Sequence, residues 1–337
     1  MTVLTDRYAA EREAIDVGLR SAVERLPAPA ARVAAYHFGW TDAAGRPAAG
    51  GSGKAVRPLL TLLAAEAVAG EWRPAVPAAV AVELVHNFSL VHDDIIDRDT
   101  MRRHRPAVWK LFGTTDAILV GDAMHALAFE VLAETGHAQA AEAIGRLAAT
   151  VRSLIEGQFA DTGFEDRDQV GLAECTAMSE AKTASLMGCA TALGALYAEG
   201  SSSQVAALRD FGLRLGLAFQ HVDDLLGIWG DPEATGKSVY SDLRNRKKSL
   251  PVAAALGSGR PESVELAGLY ARSGPLEEAE LRRAAELVEV CGGRRASEVS
   301  AATLVASASA ALTGAGLREE AVAELSDLAA STVGRTR

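Results

Sequence analysis

Helical periodicity runs almost unbroken along this chain, and alternating β-branched runs are nearly absent. That pattern constrains the fold more than any other feature. A chain without period-two strands has no sheet to cover and must pack helix against helix. An amphipathic helix is predicted over 4–26, and long helical patterns follow at 56–69, 76–100, 114–134, 138–160, 172–198 and 203–229. They are rich in Ala, Leu, Glu and Arg, which lose little side-chain entropy in a helix. The stretch 41–54 (TDAAGRPAAGGSGK) reads as a loop, and shorter helices fill 249–333. The segment 230–248 reads as an ordered loop, dense in charges of both signs. With no internal repeat and no break in composition, the expectation is a single all-α domain over residues 1–337, built from a dozen or so helices.

Charge and cysteine usage narrow the function classes. The formal net charge is −10, which disfavours nucleic acid as a partner, because nucleic-acid binding needs a basic footprint. Aromatic residues make up only 5%, too few for base-stacking platforms. Cys175, Cys189 and Cys291 form no CxxC pair and read as buried or free thiols in a reducing compartment. The N-terminus has early acidic residues and no apolar core of a secretory signal. The uncharged stretch 183–198 falls short of the roughly 20 apolar residues of a membrane span. A cytoplasmic protein without a membrane span is therefore expected.

Two acidic clusters are the most informative local features. In 83–109 (ELVHNFSLVHDDIIDRDTMRRHRPAVW), Asp93 and Asp97 are four residues apart and Asp94 and Asp97 three apart. On a helix these three carboxylates gather on one face, where like charges repel unless a cation offsets them. Ligands that offer oxygen alone suit a hard ion, magnesium or calcium, in preference to zinc. In 219–231 (FQHVDDLLGIWGD), Asp223 and Asp224 lie in a markedly apolar helix. Lys54 and Arg57 sit at the mouth of a helix, Arg102 and Arg103 follow the first cluster, Lys182 lies in EAKTASLM, and Lys237 and Lys247 follow the second cluster. Carboxylates for a metal and cations around them are what diphosphate binding requires. Neither a GxxxxGK[ST] loop nor a GxGxxG turn after a strand is present, so the phosphates are not those of a P-loop or Rossmann site.

In this setting five segments resemble, in order, the motifs of the trans-isoprenyl diphosphate synthases, or polyprenyl synthetases. They are GKAVRP, HDDIIDRDTMRR, AKTASL, FQHVDDLLG and GKSVYSDLRNRKKSLP, and together they span 53–251. The resemblance implies a bundle of antiparallel helices around a central cavity, usually homodimeric. It also implies head-to-tail condensation of isopentenyl diphosphate with an allylic diphosphate. It assigns Asp93, Asp94, Asp97, Asp223 and Asp224 to two or three magnesium ions (manganese as a substitute) on the allylic diphosphate. Arg102, Lys182, Lys237 and Lys247 would bind that diphosphate, and Lys54, Arg57, His86 and Arg103 would bind isopentenyl diphosphate. Thr183 and Gln220 would line the reacting centre.

The sequence also departs from the family's pattern. Ala55 replaces an Arg of the first motif, and His104 replaces the Gly that normally follows the paired arginines, which should alter a loop without altering the chemistry. Gly227 stands where the family usually has the last Asp of DDxxD. The expectation is reduced or altered metal support without loss of activity, with Gly227→Asp keeping or modestly raising turnover, and with Asp231 able to help only if the helix continues through Gly230. Phe88, five residues before Asp93, resembles the arrangement of short-chain geranylgeranyl synthases, with the small Ser89 nearest the aspartate face. A farnesyl or longer product is the alternative. Two rivals are a class I terpene cyclase, whose Asn/Asp-x-x-Ser-x-x-x-Glu motif is absent, and a non-catalytic partner subunit, which would shed aspartates that this chain retains.

Overall fold

The computed structural model describes residues 7–48, 55–231 and 239–333. In chain order the helices are α1 (Ala9–Val23), α2 (Ala28–His37), α3 (Val56–Ala69) and α4 (Val76–Ile96), the last entered through a 3-10 turn at Arg73–Ala75. A two-residue hairpin pairs β1 (Met101–Arg102) with β2 (Arg105–Pro106). Then come α5 (Val108–Phe112), α6 (Thr114–Ala133), α7 (Ala140–Glu165) and α8 (Leu172–Ser179). One π-helical turn (Glu180–Ala184) leads into α9 (Ser185–Tyr197), and α10 runs Ser202–Trp229. The rest is α11 (Ser241–Arg244), α12 (Leu250–Leu256), α13 (Pro261–Ala271), α14 (Glu278–Val290), α15 (Gly293–Ala311) and α16 (Glu319–Val333). The all-α class expected from the periodicity holds.

The chain divides into two compact units. The first comprises Met1–Val151, Cys189–Arg209 and Gly316–Ala321, and the second Arg152–Gly188, Asp210–Ala315 and Val322–Arg337. In the first unit α4 is the central element. Pro77 sits in its first turn, where a missing N–H costs nothing. Ala78 through Val82, Leu84 and Val85 are all buried, so α4 is apolar almost all round. The segment Arg73–Ile96 is long and apolar enough to cross a membrane, but 72% of its apolar window is buried within the fold. In the second unit the core gathers Ile228, Leu243, Val252, Leu266, Leu281 and Val288. The three cysteines are free and buried, as the sequence suggests.

Several boundaries differ from the periodicity. Helix α4 stops at Ile96 instead of 100, because Arg98 adopts a left-handed φ of 56° that no helix can continue through. The pattern over 172–198 is broken by the π turn. Helix α2 has no counterpart in the sequence reading, since its Ala/Pro-rich residues carry little apolar contrast. Between β1 and β2, Arg103 and His104 have φ of 52° and 61°. These are the two central positions of a type I′ hairpin, where glycine or asparagine is at ease and other residues are strained. The loop is thus altered by strain, and His104 occupies the place where the family's glycine would relieve it.

Candidate active site

On the first unit, α4 presents its polar residues in two layers. Asp94 is 1% exposed and accepts a hydrogen bond from Arg102 Nε at 2.9 Å, with a terminal nitrogen of the same guanidinium on the same oxygen. Burial pushes the Asp94 carboxyl up, and Arg102 offsets this in part. Its other oxygen, Oδ2, is buried without a hydrogen-bond partner. A buried lone pair left open in this way costs free energy unless a ligand fills it. Asp93 and Asp97 lie on the same turn, partly exposed.

Two turns earlier, His86 Nε2 lies 3.3 Å from Arg57 Nη1. Arginine can only donate, so Nε2 accepts and the ring proton sits on Nδ1. Burial, then the charges of Arg57 and Arg103, holds this imidazole well below its ordinary range, so it is neutral at pH 7. A second buried chain lies beneath. His37 Nε2 donates to Asn87 Oδ1 at 3.0 Å, and Asn87 Nδ2 donates to the Glu83 backbone oxygen at 2.8 Å and to its carboxylate at 2.9 Å. Arg103 reaches Asn87 Oδ1 at 3.3 Å. Its Nη1 is buried without a hydrogen-bond partner, and burial lowers its pKa. A cavity of about 150 Å³ is lined by His37, Arg102, Arg103 and Arg105 among others. The cavity and the open Arg103 donor suit an anion beside Arg103. Sequence reasoning missed His37, Glu83 and Asn87. The i, i+4 spacing of Glu83 and Asn87 on an apolar helix was the available signal.

Farther along the chain, the π turn presents Lys182 and Thr183. Two glycines let neighbouring helices press on its backbone. A Cβ on Gly157 of α7 would fall 2.4 Å from Lys182 N, and one on Gly216 of α10 would fall 2.6 Å from Ala184 Cα. Single π turns inside helices recur at functional sites. Lys182 Nζ pairs with Asp161 at 2.6 Å. The Thr183 hydroxyl donates to Gln220 Oε1 at 2.7 Å, Gln220 Nε2 donates to Asp224 Oδ1 at 2.6 Å, and Leu250 N donates to Asp224 Oδ2 at 2.8 Å. Burial, then repulsion from Asp242 and Asp223, pushes the Asp224 carboxyl up to about 8. Asp223 is exposed. Gln158 and Asp161 were not singled out from sequence, yet both amide atoms of Gln158 are buried without a hydrogen-bond partner.

Lys54 and Lys237 lie outside the described residues. Lys247 is partly buried, and its N–H donates to the Asp242 backbone oxygen at 2.9 Å. Asp231 falls past the end of α10 at Trp229, so the helix does not position it. Among the described residues, no three His, Cys, Asp or Glu side chains close into a ready-made metal cage. Magnesium is usually held by one or two carboxylates together with substrate phosphates and water, and the open Asp94 oxygen in the first unit and the exposed Asp223 in the second each offer such a ligand separately.

An all-helical scaffold with two aspartate-rich helices, the first paired with Arg102, is of a class suited to binding charged substrates through cations. Comparison with known proteins makes this specific. The polyprenyl synthetase family model matches residues 40–290. A Mycobacterium tuberculosis (2E,6E)-farnesyl diphosphate synthase is 47% identical over 326 residues, covering 96% of this chain and 91% of that protein. A geranylgeranyl diphosphate synthase of the same organism is 46% identical over 305 residues, covering 90% and 87%. The crystal structure of a polyprenyl synthetase from Streptomyces coelicolor superposes with a TM-score of 0.92 at 47% identity, covering 96% of this chain and 98% of that one. The chain belongs to the polyprenyl synthetase family, and it is an enzyme that transfers prenyl groups.

Proposed function

We propose that this enzyme condenses isopentenyl diphosphate with an allylic diphosphate, head to tail, and that its principal product is geranylgeranyl diphosphate. The observation that carries the product reading is an aromatic wall. Phe88, 6% exposed, packs its ring against His125 of α6 at 4.8 Å, and His125 packs on Phe129 at 5.2 Å. Phe88 lies five residues before Asp93, about 7.5 Å along the helix. A farnesyl product is the second reading, favoured by the name of the 47% identical mycobacterial relative.

In this proposal the allylic carbon–oxygen bond breaks as the diphosphate departs. The isopentenyl double bond attacks the cation, a carbon–carbon bond forms, and the proton lost from the adduct passes to the released diphosphate. Asp93, Asp94, Asp97, Asp223 and Asp224 would hold two or three magnesium ions, which would supply neutralising charge to the departing group. Arg102, Lys182, Lys237 and Lys247 hold the allylic diphosphate. Lys182 must exchange its ion pair with Asp161 for the phosphate. Lys54, Arg57, His86 and Arg103 hold isopentenyl diphosphate, with the neutral His86 donating through Nδ1 and orienting Arg57 through Nε2. Thr183 and Gln220 face the reacting carbons and buttress Asp224. The enzyme acts in the cytoplasm as one functional domain over 1–337 and as a homodimer. Exposed apolar side chains such as Leu119, 59% exposed, and Phe159, 77% exposed, are consistent with the dimer.

Purified protein incubated with magnesium, isopentenyl diphosphate and a series of allylic diphosphates should yield a twenty-carbon diphosphate by chromatography. A fifteen-carbon end product would select the second reading, and no elongation with any acceptor would refute both. Arg57→Ala should raise the apparent KM for isopentenyl diphosphate about tenfold, the cost of one charge-assisted hydrogen bond, while leaving the allylic KM within about twofold. Equal effects on the two substrates would show that the sites are assigned wrongly.

A further inference from the structure

Within the second unit, α8, α10, α12 and α15 border a groove of about 320 Å³ that none of the residues assigned to magnesium or diphosphate lines. Helices α12 and α15 close one end of it. A Cβ on Gly293 would fall 2.1 Å from the Pro251 backbone oxygen, so the two backbones meet one turn before Ser297. Leu217, Leu250, Ala254 and Val299 make the groove largely apolar, and its lining holds no Asp, Glu, Lys or Arg. Its floor is polar. His221 lies four residues after Leu217, on the same face of α10. It is 6% exposed and Ser297 is 1% exposed, and His221 Nδ1 lies 3.2 Å from Ser297 Oγ. Among the described residues His221 Nε2 has no hydrogen-bond partner, yet it is not sealed from solvent, so it opens into the groove. A polar atom held open toward an apolar space costs free energy unless something bonds to it.

We propose that this groove is a binding site for an uncharged alcohol, with the hydroxyl on His221 Nε2 and the apolar body along Leu217, Leu250 and Val299. The charge of the ligand follows from the lining. No Lys, Arg, Asp or Glu side chain there can neutralise an ionised ligand, and burying an unpaired charge is expensive. The head group follows from the pair on the floor. Serine can donate or accept, so the ring proton can sit on either nitrogen of His221. A hydroxyl bonds Nε2 in both cases, whereas a carbonyl or an ether serves only one. The size follows from the volume, since at roughly 30 Å³ per atom the groove holds about ten non-hydrogen atoms. The site goes beyond the prenyltransferase reading and does not depend on it. It adjoins that chemistry through Leu250, which lines the groove while its backbone N–H donates to Asp224 Oδ2 at 2.8 Å. The ordinary alternative is a hydrated crevice in which water alone satisfies Nε2.

A site-specific nuclear magnetic resonance titration separates the two. The full chain is labelled with carbon-13 at Cε1 of its histidines, and 1-octanol is added without metal or diphosphate. The His221 signal is the one missing from His221→Gln. It should shift and saturate, with half-saturation at about 1 mM or below, as suits a ligand of this size. A transferred Overhauser effect from the His221 Hε1 should reach the octanol protons beside the hydroxyl and not the terminal methyl. Octanoate at pH 8 carries a charge on a similar body and should bind more weakly by about tenfold or more. Ala254→Phe fills the groove, and Val299→Trp covers it from a position that is 45% exposed. Each should weaken octanol binding about tenfold or more, which is at least 1.4 kcal/mol. If Ala254→Phe does not fold, Val299→Trp decides. No saturable shift of His221 up to the solubility of octanol would overturn the proposal, and so would an undiminished shift in folded Val299→Trp. Octanoate binding as tightly as octanol, or the terminal methyl lying at His221, would equally overturn it. The condensation reaction is read separately by product formation, so failure here leaves the prenyltransferase reading standing.

Discussion

Asp224→Asn should lower turnover by about a hundredfold or more while leaving the protein folded, and Asp93→Ala should lose activity on the same scale. The loss should fall on kcat, because negative charge on the departing diphosphate is greatest in the transition state. Asp224 makes the cleaner test. It is 7% exposed, and its carboxyl sits up at about 8 because of burial and the neighbouring acids. A carboxyl raised in the folded state contributes stability below its unfolded pKa and loses it as pH rises through the folded value. Here that window runs from about 4 to about 8. In the metal-free protein the neutral amide should therefore cost little, and above pH 8 the variant should melt at or above the wild type. Its hydrogen bonds can be kept: Asn accepts from Leu250 N, and a turned Gln220 amide accepts from the new Nδ2 while donating to Thr183 Oγ1. Melting curves without metal and initial rates with magnesium check the two halves. A rate within tenfold of the wild type would argue against a direct role for Asp224. A collapsed melting temperature above pH 8 would argue that its charge supports the fold.

The contrast between these two readouts shows why some of the molecule was legible in the sequence and some was not. Helices α3 and α10 follow the predicted limits to within a residue because apolar spacing sets them locally. The aspartates and basic residues stand out because charge is rare on apolar helices. What the sequence hid was tertiary. The π turn at Lys182 depends on Gly157 and Gly216, each at a distance in sequence, and no pattern within 172–198 announces it. The support of Asn87 by His37 spans fifty residues. That the Asp242 side chain, fifteen positions later, packs beside Gly227 is likewise invisible in a single segment.

Phe88→Ala should lengthen the principal product by at least one five-carbon unit. Growth stops when the hydrocarbon tail meets packed side chains, and a close-packed interior does not yield by an isoprene unit without a cavity. Phe88 is nearly fully buried against His125 and His92, with ring centroids at 4.8 Å and 5.7 Å, so its removal opens a real volume. The neighbouring His92 is anchored on its far side. His92 lies against Gly121, where a Cβ would come within 2.2 Å of its ring, and its Nε2 meets the Ile118 backbone oxygen at 3.2 Å. Truncating a buried Phe costs about 3–5 kcal/mol, so the melting temperature should fall together with the change in product. Phe88→Leu, which fills more of the space, should lengthen the product less and cost less stability. Next in line stand His125 and, one turn on, Phe129, so Phe88→Ala with His125→Ala should extend the product beyond either single variant. Chromatography of the dephosphorylated alcohols resolves each five-carbon step. An unchanged distribution in Phe88→Ala would place the floor elsewhere on α4. Ser89, 7% exposed with its hydroxyl on the His86 backbone oxygen, and the fully buried Val85 would then be the positions to enlarge, each expected to shorten the product if it borders the tail.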